Sequence, residues 1–172
     1  MNLTIHTWNV NSVRAREEQV SLWLDKVQPD IFVFQETKVN DSLFPISFFE
    51  EKGYGVIFNG QKSYNGVAIG YKKSIAVKLA DIIKDNPFFE DEQARVISAS
   101  LEFSKDFVMR LINIYVPNGS SIGSSKYQYK LDFLDALKEL LETELRTHKN
   151  ICLAGDFNIA PCDIDVHDPV LW

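Results

Sequence analysis

Asp30-Ile31-Phe32-Val33-Phe34-Gln35-Glu36-Thr37-Lys38 is an apolar run that stops abruptly on acid. Asn150-Ile151-Cys152-Leu153-Ala154-Gly155-Asp156-Phe157-Asn158 does the same much later in the chain. Short continuous apolar runs bounded by polar residues read as strands buried on both faces. Residues just past such strands lie at the rim of a sheet, where α/β proteins build their sites. A carboxylate there is costly to bury alone, so it has a partner or a cation. Two of them, far apart in sequence, point to a hard divalent metal and a phosphate ester.

Working outward, Leu3 to Val10 reads as a strand. Arg14 to Val27 reads as a helix, with Val20, Trp23, Leu24 and Val27 spaced i, i+3, i+4, i+7 and Pro29 as its stop. With the strand to Phe34 this gives a β-α-β opening, typical of a layered α/β fold. Glycine-punctuated strands follow over Gly55–Asn59, Val67–Tyr71 and Ile75–Leu79. Val96–Phe103 and Phe107–Val116 read as a hairpin turning at Ser104-Lys105-Asp106. Asn118 to Ser125 is a polar loop. Lys126 to Thr147 reads as a helix with Leu134, Leu137, Leu141 and Leu145 inward. The last clear strand ends at Ala154, and no closing element is read through Pro161, Pro169 and Val170-Leu171-Trp172. No internal repeat or low-complexity linker interrupts the chain.

The 172 residues suit one domain, and 45% hydrophobic with 24% charged residues excludes a disordered chain. Twelve Phe and three Trp can fill a core. The net charge of −6 argues against a nucleic-acid binder by bulk electrostatics, yet leaves room for a locally basic groove. Cys152 and Cys162 are too few for a disulfide framework, which favours a reducing cytoplasm. Met1-Asn2-Leu3-Thr4 lacks the features of a secretory signal. No apolar run approaches the roughly 20 residues needed to cross a bilayer, so no membrane partner is expected.

Four strand ends carry polar groups: Asn9 with Asn11 and Arg14 beyond it; Glu36; Tyr115 with Asn118; and Asp156 with Asn158. Oxygen ligands without Cys or clustered His suit Mg²⁺, Mn²⁺ or Ca²⁺ rather than zinc. Mg²⁺ needs only one or two carboxylates, because it keeps waters and takes phosphate oxygens. Each residue also has a plainer reading. Gly155-Asp156-Phe157-Asn158 alone is a turn. Glu36 could cap a helix or pair with Lys38. Tyr115 fits a core, and Arg14 with Arg16 a solvated helix face. Asn9, flanked by Trp8 and Val10 in a buried strand, is hardest to dismiss, since its amide needs a partner. His6, His148 and His167 are too scattered to form a metal cluster. Asp81, Asp85, Glu90, Asp91 and Glu92 read as a solvated acidic loop.

Taken in order, the segments Trp8–Arg16, Pro29–Lys38, Tyr64-Asn65-Gly66-Val67-Ala68, Gln93-Ala94-Arg95-Val96-Ile97, Asn113–Gly119, Lys126-Tyr127 and Gly155–Asn158 form a specific set. The chain resembles the exonuclease III family of DNA-repair nucleases, within the endonuclease/exonuclease/phosphatase superfamily. The resemblance implies a four-layered α/β sandwich of two packed mixed sheets with helices outside. It implies Mg²⁺-dependent hydrolysis of DNA phosphodiesters, with Mn²⁺ as an alternative. The substrates it implies are double-stranded DNA with abasic sites, cut on their 5′ side, and 3′ ends. It assigns Glu36 and Asn11 to the metal and Asp156 to the attacking water. Asn9 and Asn158 would position Asp156 and the phosphate, with Tyr115 on the scissile phosphate. Arg14, Asn118, Arg95 and Lys126 would contact DNA phosphates. A carboxylate of ordinary acidity is a poor base near pH 7, so the acid in the water-activating role acts by orientation unless its surroundings raise its basicity.

Two departures from the family stand out. Family members continue further, to another strand-end Asp and a Ser-Asp-His segment, and no Ser-Asp-His occurs in these 172 residues. Ser12 also stands where relatives usually have Gly. The chain therefore reads as one domain over 1–172, incomplete at the C-terminus, with little activity alone. A bare sheet face able to drive self-association is expected. Two other readings compete. One is a phosphoesterase of the same fold acting on phosphoinositides. The other is a non-catalytic fragment that pairs with a complementary chain.

Overall fold

The computed structural model describes residues 2–75 and 77–168. Strands β1 (Ile5–Asn9), β2 (Ile31–Gln35), β3 (Tyr54–Asn59) and β4 (Val67–Lys72) form one sheet in the order β1-β2-β4-β3. Strands β5 (Lys78–Lys84), β6 (Val96–Ser104), β7 (Phe107–Tyr115) and β8 (Ile151–Asp156) form the second, in sequence order. The helices are α1 (Glu17–Val27), α2 (Ile46–Glu51) and α3 (Ser125–Thr147). Each sheet contains one parallel pair joined by a helical crossover: β1-α1-β2 in the first, β7-α3-β8 in the second. The other pairings are antiparallel.

Alternation along the strands sorts the core into layers. Ile31 and Val33 of β2 pack with Val67, Ile69, Ile97, Leu101 and Leu111 between the sheets. Phe32 and Phe34 turn to the other face, against Val20 and Leu24 of α1 and Phe49 of α2. On the second sheet, Ile112 and Ile114 face Phe133, Leu137 and Leu140 of α3. This is the expected helix–sheet–sheet–helix sandwich, with β2 fully buried along its length.

Where a bare sheet face is expected, α1 and α2 pack on the outer face of the first sheet and α3 on that of the second across β6, β7 and β8, while β5 is largely exposed. What lies open is the side: β1 and β8 are the neighbouring outer strands of the two sheets, and every residue of β8 is only half-buried. The strand expected at Ile75–Leu79 forms later, as β5, after a single helical turn at Lys73–Ile75. Asp81, read as loop, lies inside β5 at a break in pairing register, with φ +48. The first helix begins at Glu17, since Arg14 and Arg16 fall in the preceding turn. The inward stripe of α3 is Phe133, Ala136, Leu137, Leu140 and Glu144, whereas Leu145 is exposed. The segment Asp163–Asp165 makes a short helical turn, and Pro169 to Trp172 lie outside the described residues. No helix among the described residues is long and apolar enough to cross a membrane.

Candidate active site

The two crossover units deliver four side chains to one place. Parallel pairing sets Asn9 beside Gln35 and Tyr115 beside Asp156, so both pairs end at the same edge. Period-2 alternation sends Ile5 and Asn9, Leu111 and Tyr115, and Cys152, Ala154 and Asp156 into the space between the sheets. Beneath them lies a polar tie. Asn113, fully buried on β7, donates to the carbonyls of Phe34 and Ala68, each at 2.9 Å, and accepts from Gln35 Nε2 at 2.8 Å. This tie fixes one sheet against the other directly below the site.

The expected carboxylates meet through one amide. Asn9 Nδ2 donates to Glu36 Oε1 at 2.8 Å and to Asp156 Oδ2 at 2.8 Å. Tyr115 donates its hydroxyl to the same Glu36 oxygen at 2.8 Å. The second Glu36 oxygen faces Lys38 Nζ at 2.8 Å, which also donates to Asn11 Oδ1 at 2.5 Å. Burial pushes the Glu36 carboxyl up, but hydrogen bonds from Asn9, Lys38 and Tyr115 outweigh it, leaving the group below the ordinary carboxylate range. Burial, then the bond to Glu36, pushes the Tyr115 phenol up to about 12, so it remains a donor at neutral pH.

Asp156 is held at both oxygens, since Oδ1 accepts from the Asn158 backbone N–H at 3.0 Å. Asn158 thus positions Asp156 through its main chain, while its side-chain amide donates to Val116 O at 2.9 Å. Gly155 makes this approach possible. Its φ is +148, and a Cβ there would fall 2.0 Å from the Ile114 carbonyl oxygen.

The expected phosphate contacts divide. Arg14 and Asn118 are exposed at the rim, with Asn118 Oδ1 accepting from Ser120 N. Arg95 is engaged inward. Its guanidinium stacks 4.8 Å from the Tyr115 ring centre, Nη1 donates to Tyr115 O, and Nε and Nη2 donate to Gln93. Its closest partners are therefore protein groups that brace Tyr115. Lys126 is exposed on the first turn of α3. Lys130, one turn on and overlooked in the sequence, donates to Asn158 O at 2.6 Å. Burial lowers the Lys130 pKa, and the charge of Asp156 opposes that. Lys130 lines a cleft of about 500 Å³ with Asn118, Tyr127, Asn158 and His167. The i, i+4 spacing from Lys126 was the one available signal for it. His6 packs on Trp23 and His148 pairs with Glu144, both away from the site.

Among the described residues no three His, Cys, Asp or Glu side chains cluster around one point. The oxygens of Glu36 and Asn11 nevertheless converge on a cation, the Lys38 ammonium. That small all-oxygen set fits an ion that keeps most of its waters, as Mg²⁺ does.

The chain is similar to proteins of known sequence and structure. The model for the Endonuclease/Exonuclease/phosphatase family matches residues 6–171. Exodeoxyribonuclease III of Haemophilus influenzae is 37% identical over 161 residues, which are 93% of this chain and 59% of that protein. The 3′ phosphatase NExo from Neisseria, solved bound to a product DNA hairpin, superposes with a TM-score of 0.89 at 38% identity. An AP endonuclease from Archaeoglobus fulgidus superposes at 0.86, also at 38% identity. Both superpositions cover 99% of this chain and 63% of the other. The chain thus spans about three-fifths of the length of the relatives it matches. By the family match and the shared sandwich, the chain belongs to the endonuclease/exonuclease/phosphatase family.

Proposed function

We propose that this chain carries the metal-binding and water-orienting side of a site that hydrolyses phosphate esters of DNA, with Mg²⁺ as the ion and Mn²⁺ as a substitute. The Asn9 amide that joins Glu36 to Asp156 is the observation that carries the reading. The names of the relatives support DNA as the substrate: an exodeoxyribonuclease, an AP endonuclease, and a 3′ phosphatase with a DNA product. Abasic sites in duplex DNA and modified 3′ ends are then the substrates to test.

In this reading Glu36 and Asn11 hold the ion, which when bound would neutralise charge on the non-bridging phosphate oxygens. Asp156, fixed at both oxygens, orients the attacking water. Tyr115, still protonated, donates toward the phosphate once its bond to Glu36 is exchanged. Arg14, Asn118 and Lys130 supply a local polar and basic rim on a chain of net charge −6. Two free cysteines agree with a cytoplasmic setting. The 172 residues alone turn over slowly in this reading, because the relatives carry a further two-fifths of their length beyond the matched part.

The test offers an abasic duplex, a duplex with a 3′ phosphate, and a phosphoinositide to the purified protein, with Mg²⁺ or with EDTA. Slow, Mg²⁺-dependent turnover of DNA alone is expected, falling by at least ~100-fold in Glu36→Gln and in Asp156→Asn. Faster turnover of the phosphoinositide, or DNA cleavage indifferent to both substitutions, would refute the reading.

A further inference from the structure

The site already contains a cation of its own. Lys38 lies two residues beyond Glu36, and both sit in the left-handed backbone region, with φ +52 and +53. The chain turns back between them, anchored by Lys38 N–H to Asn65 O at 2.9 Å. The ammonium thereby reaches Glu36 Oε2 at 2.8 Å and Asn11 Oδ1 at 2.5 Å. The other Glu36 oxygen is taken by Asn9 and Tyr115. Oε2 and the Asn11 carbonyl are therefore the oxygens left for an ion, and Lys38 occupies both. An ammonium and a divalent cation a few ångströms apart repel each other, so the two cannot share this pair on favourable terms.

We propose that Lys38 is a built-in counter-ion. It neutralises Glu36 when no divalent ion is bound and must swing aside before one takes Glu36 and Asn11, so it weakens metal binding while holding the two oxygens in place. This rests on the reading that Glu36 and Asn11 hold the ion. The geometry permits the exchange. The Lys38 side chain is 28% exposed, and its four-carbon stem lets the ammonium leave without backbone movement. Removing it deletes a charge-assisted bond that the incoming metal must otherwise break, an effect on the order of 10–100-fold in affinity.

The experiment is Mn²⁺ titration of the intact protein by calorimetry, with thermal melting in EDTA alongside. Wild type, Lys38→Met, Lys38→Arg, Glu36→Gln and the double variant Glu36→Gln/Lys38→Met are compared. Lys38→Met should bind Mn²⁺ about 10–100-fold more tightly. It should also melt lower in EDTA and regain more on adding Mn²⁺. Lys38→Arg, which keeps the charge, should stay near wild type and serves if Lys38→Met fails to fold. Unchanged or weaker binding in Lys38→Met overturns the inference, as does equal tightening in Lys38→Arg. If Mn²⁺ binding survives Glu36→Gln undiminished in both backgrounds, the metal reading itself fails, which is a different result.

Discussion

Ser12 is held at φ +84, on the turn that carries the chain from β1 past the site. Its N–H donates to Glu36 O at 2.7 Å and its carbonyl accepts from Arg16 N, so the conformation is pinned from both sides. A side chain there costs on the order of 1 kcal/mol or more, and the compensation visible is a 3.3 Å bond from Ala15 N–H to the Ser12 hydroxyl. Ser12→Gly should therefore stabilise the protein by roughly 0.5–1 kcal/mol in urea unfolding, after the entropy glycine gains in the unfolded chain is deducted. A destabilised variant would mean that the hydroxyl bond outweighs the strain. Residues of this kind also show what could be read in the sequence. Asn9, Glu36, Tyr115 and Asp156 were legible because each ends an alternating or apolar run, and alternation alone sends three of them inward. Lys130, the inward turn of Arg95 and the reach of Lys38 to Asn11 were not. Their roles depend on left-handed backbone or on long flexible stems, and neither leaves a periodic signal.

Among the elements, α3 is bound to the second sheet by charge as well as by apolar contact. Arg110 of β7, 1% exposed, makes a forked bond to Glu144 of α3, with Nε and Nη2 both within 3.1 Å of its oxygens. The guanidinium is completed by Ser98 Oγ and the Asp81 carbonyl. His148 reaches the second Glu144 oxygen at 2.8 Å. Glu144→Ala would leave a buried guanidinium without its counter-charge, a loss of about 3–5 kcal/mol. Chemical denaturation should show it, and a cost below about 1 kcal/mol would mean that water reaches Arg110 and replaces the carboxylate. This pair explains why the helix stripe was misjudged. A leucine pattern implies that the apolar residues face inward, so it assigns Leu145 to the core, whereas Arg110 requires Glu144 there. The same charge blindness displaced β5, whose Asp81 reads as loop. Its strand pairing with β6 is supplied by the neighbour rather than by its own composition.

For the molecule as a whole, the layered sandwich was legible because apolar runs, crossover helices and a hairpin turn occur in the order that the fold needs. Its interior also sets a pH response. Burial raises the phenols of Tyr54 and Tyr115 to about 12, and that of Tyr129 further. A negatively charged neighbour adds to the shift in each: Asp30 for Tyr54, Glu36 for Tyr115, and Asp91 for Tyr129. Unfolded tyrosines ionise near pH 10, so between about 10 and about 12 the native state keeps protons that the unfolded chain releases. Stability is then fully present below pH 10 and falls as pH rises through that window. Urea midpoints should drop steeply over it, and less so in Tyr115→Phe; a flat profile would contradict the burial of these rings.

The placement of the site on the sheets has a further consequence. Glu36 and Tyr115 stand at the ends of β2 and β7, strands with neighbours on both sides, while Asn9 and Asp156 stand at the ends of β1 and β8, each paired on one side only among the described residues. Strands paired on one side fray first, and their outward amides should take up deuterium well before those of β2 and β7. Half of the candidate site is thus mounted on strands paired on both sides and half on a margin of strands paired on one. Any molecule that zips onto that margin would tighten the hold on Asn9 and Asp156 without touching either side chain.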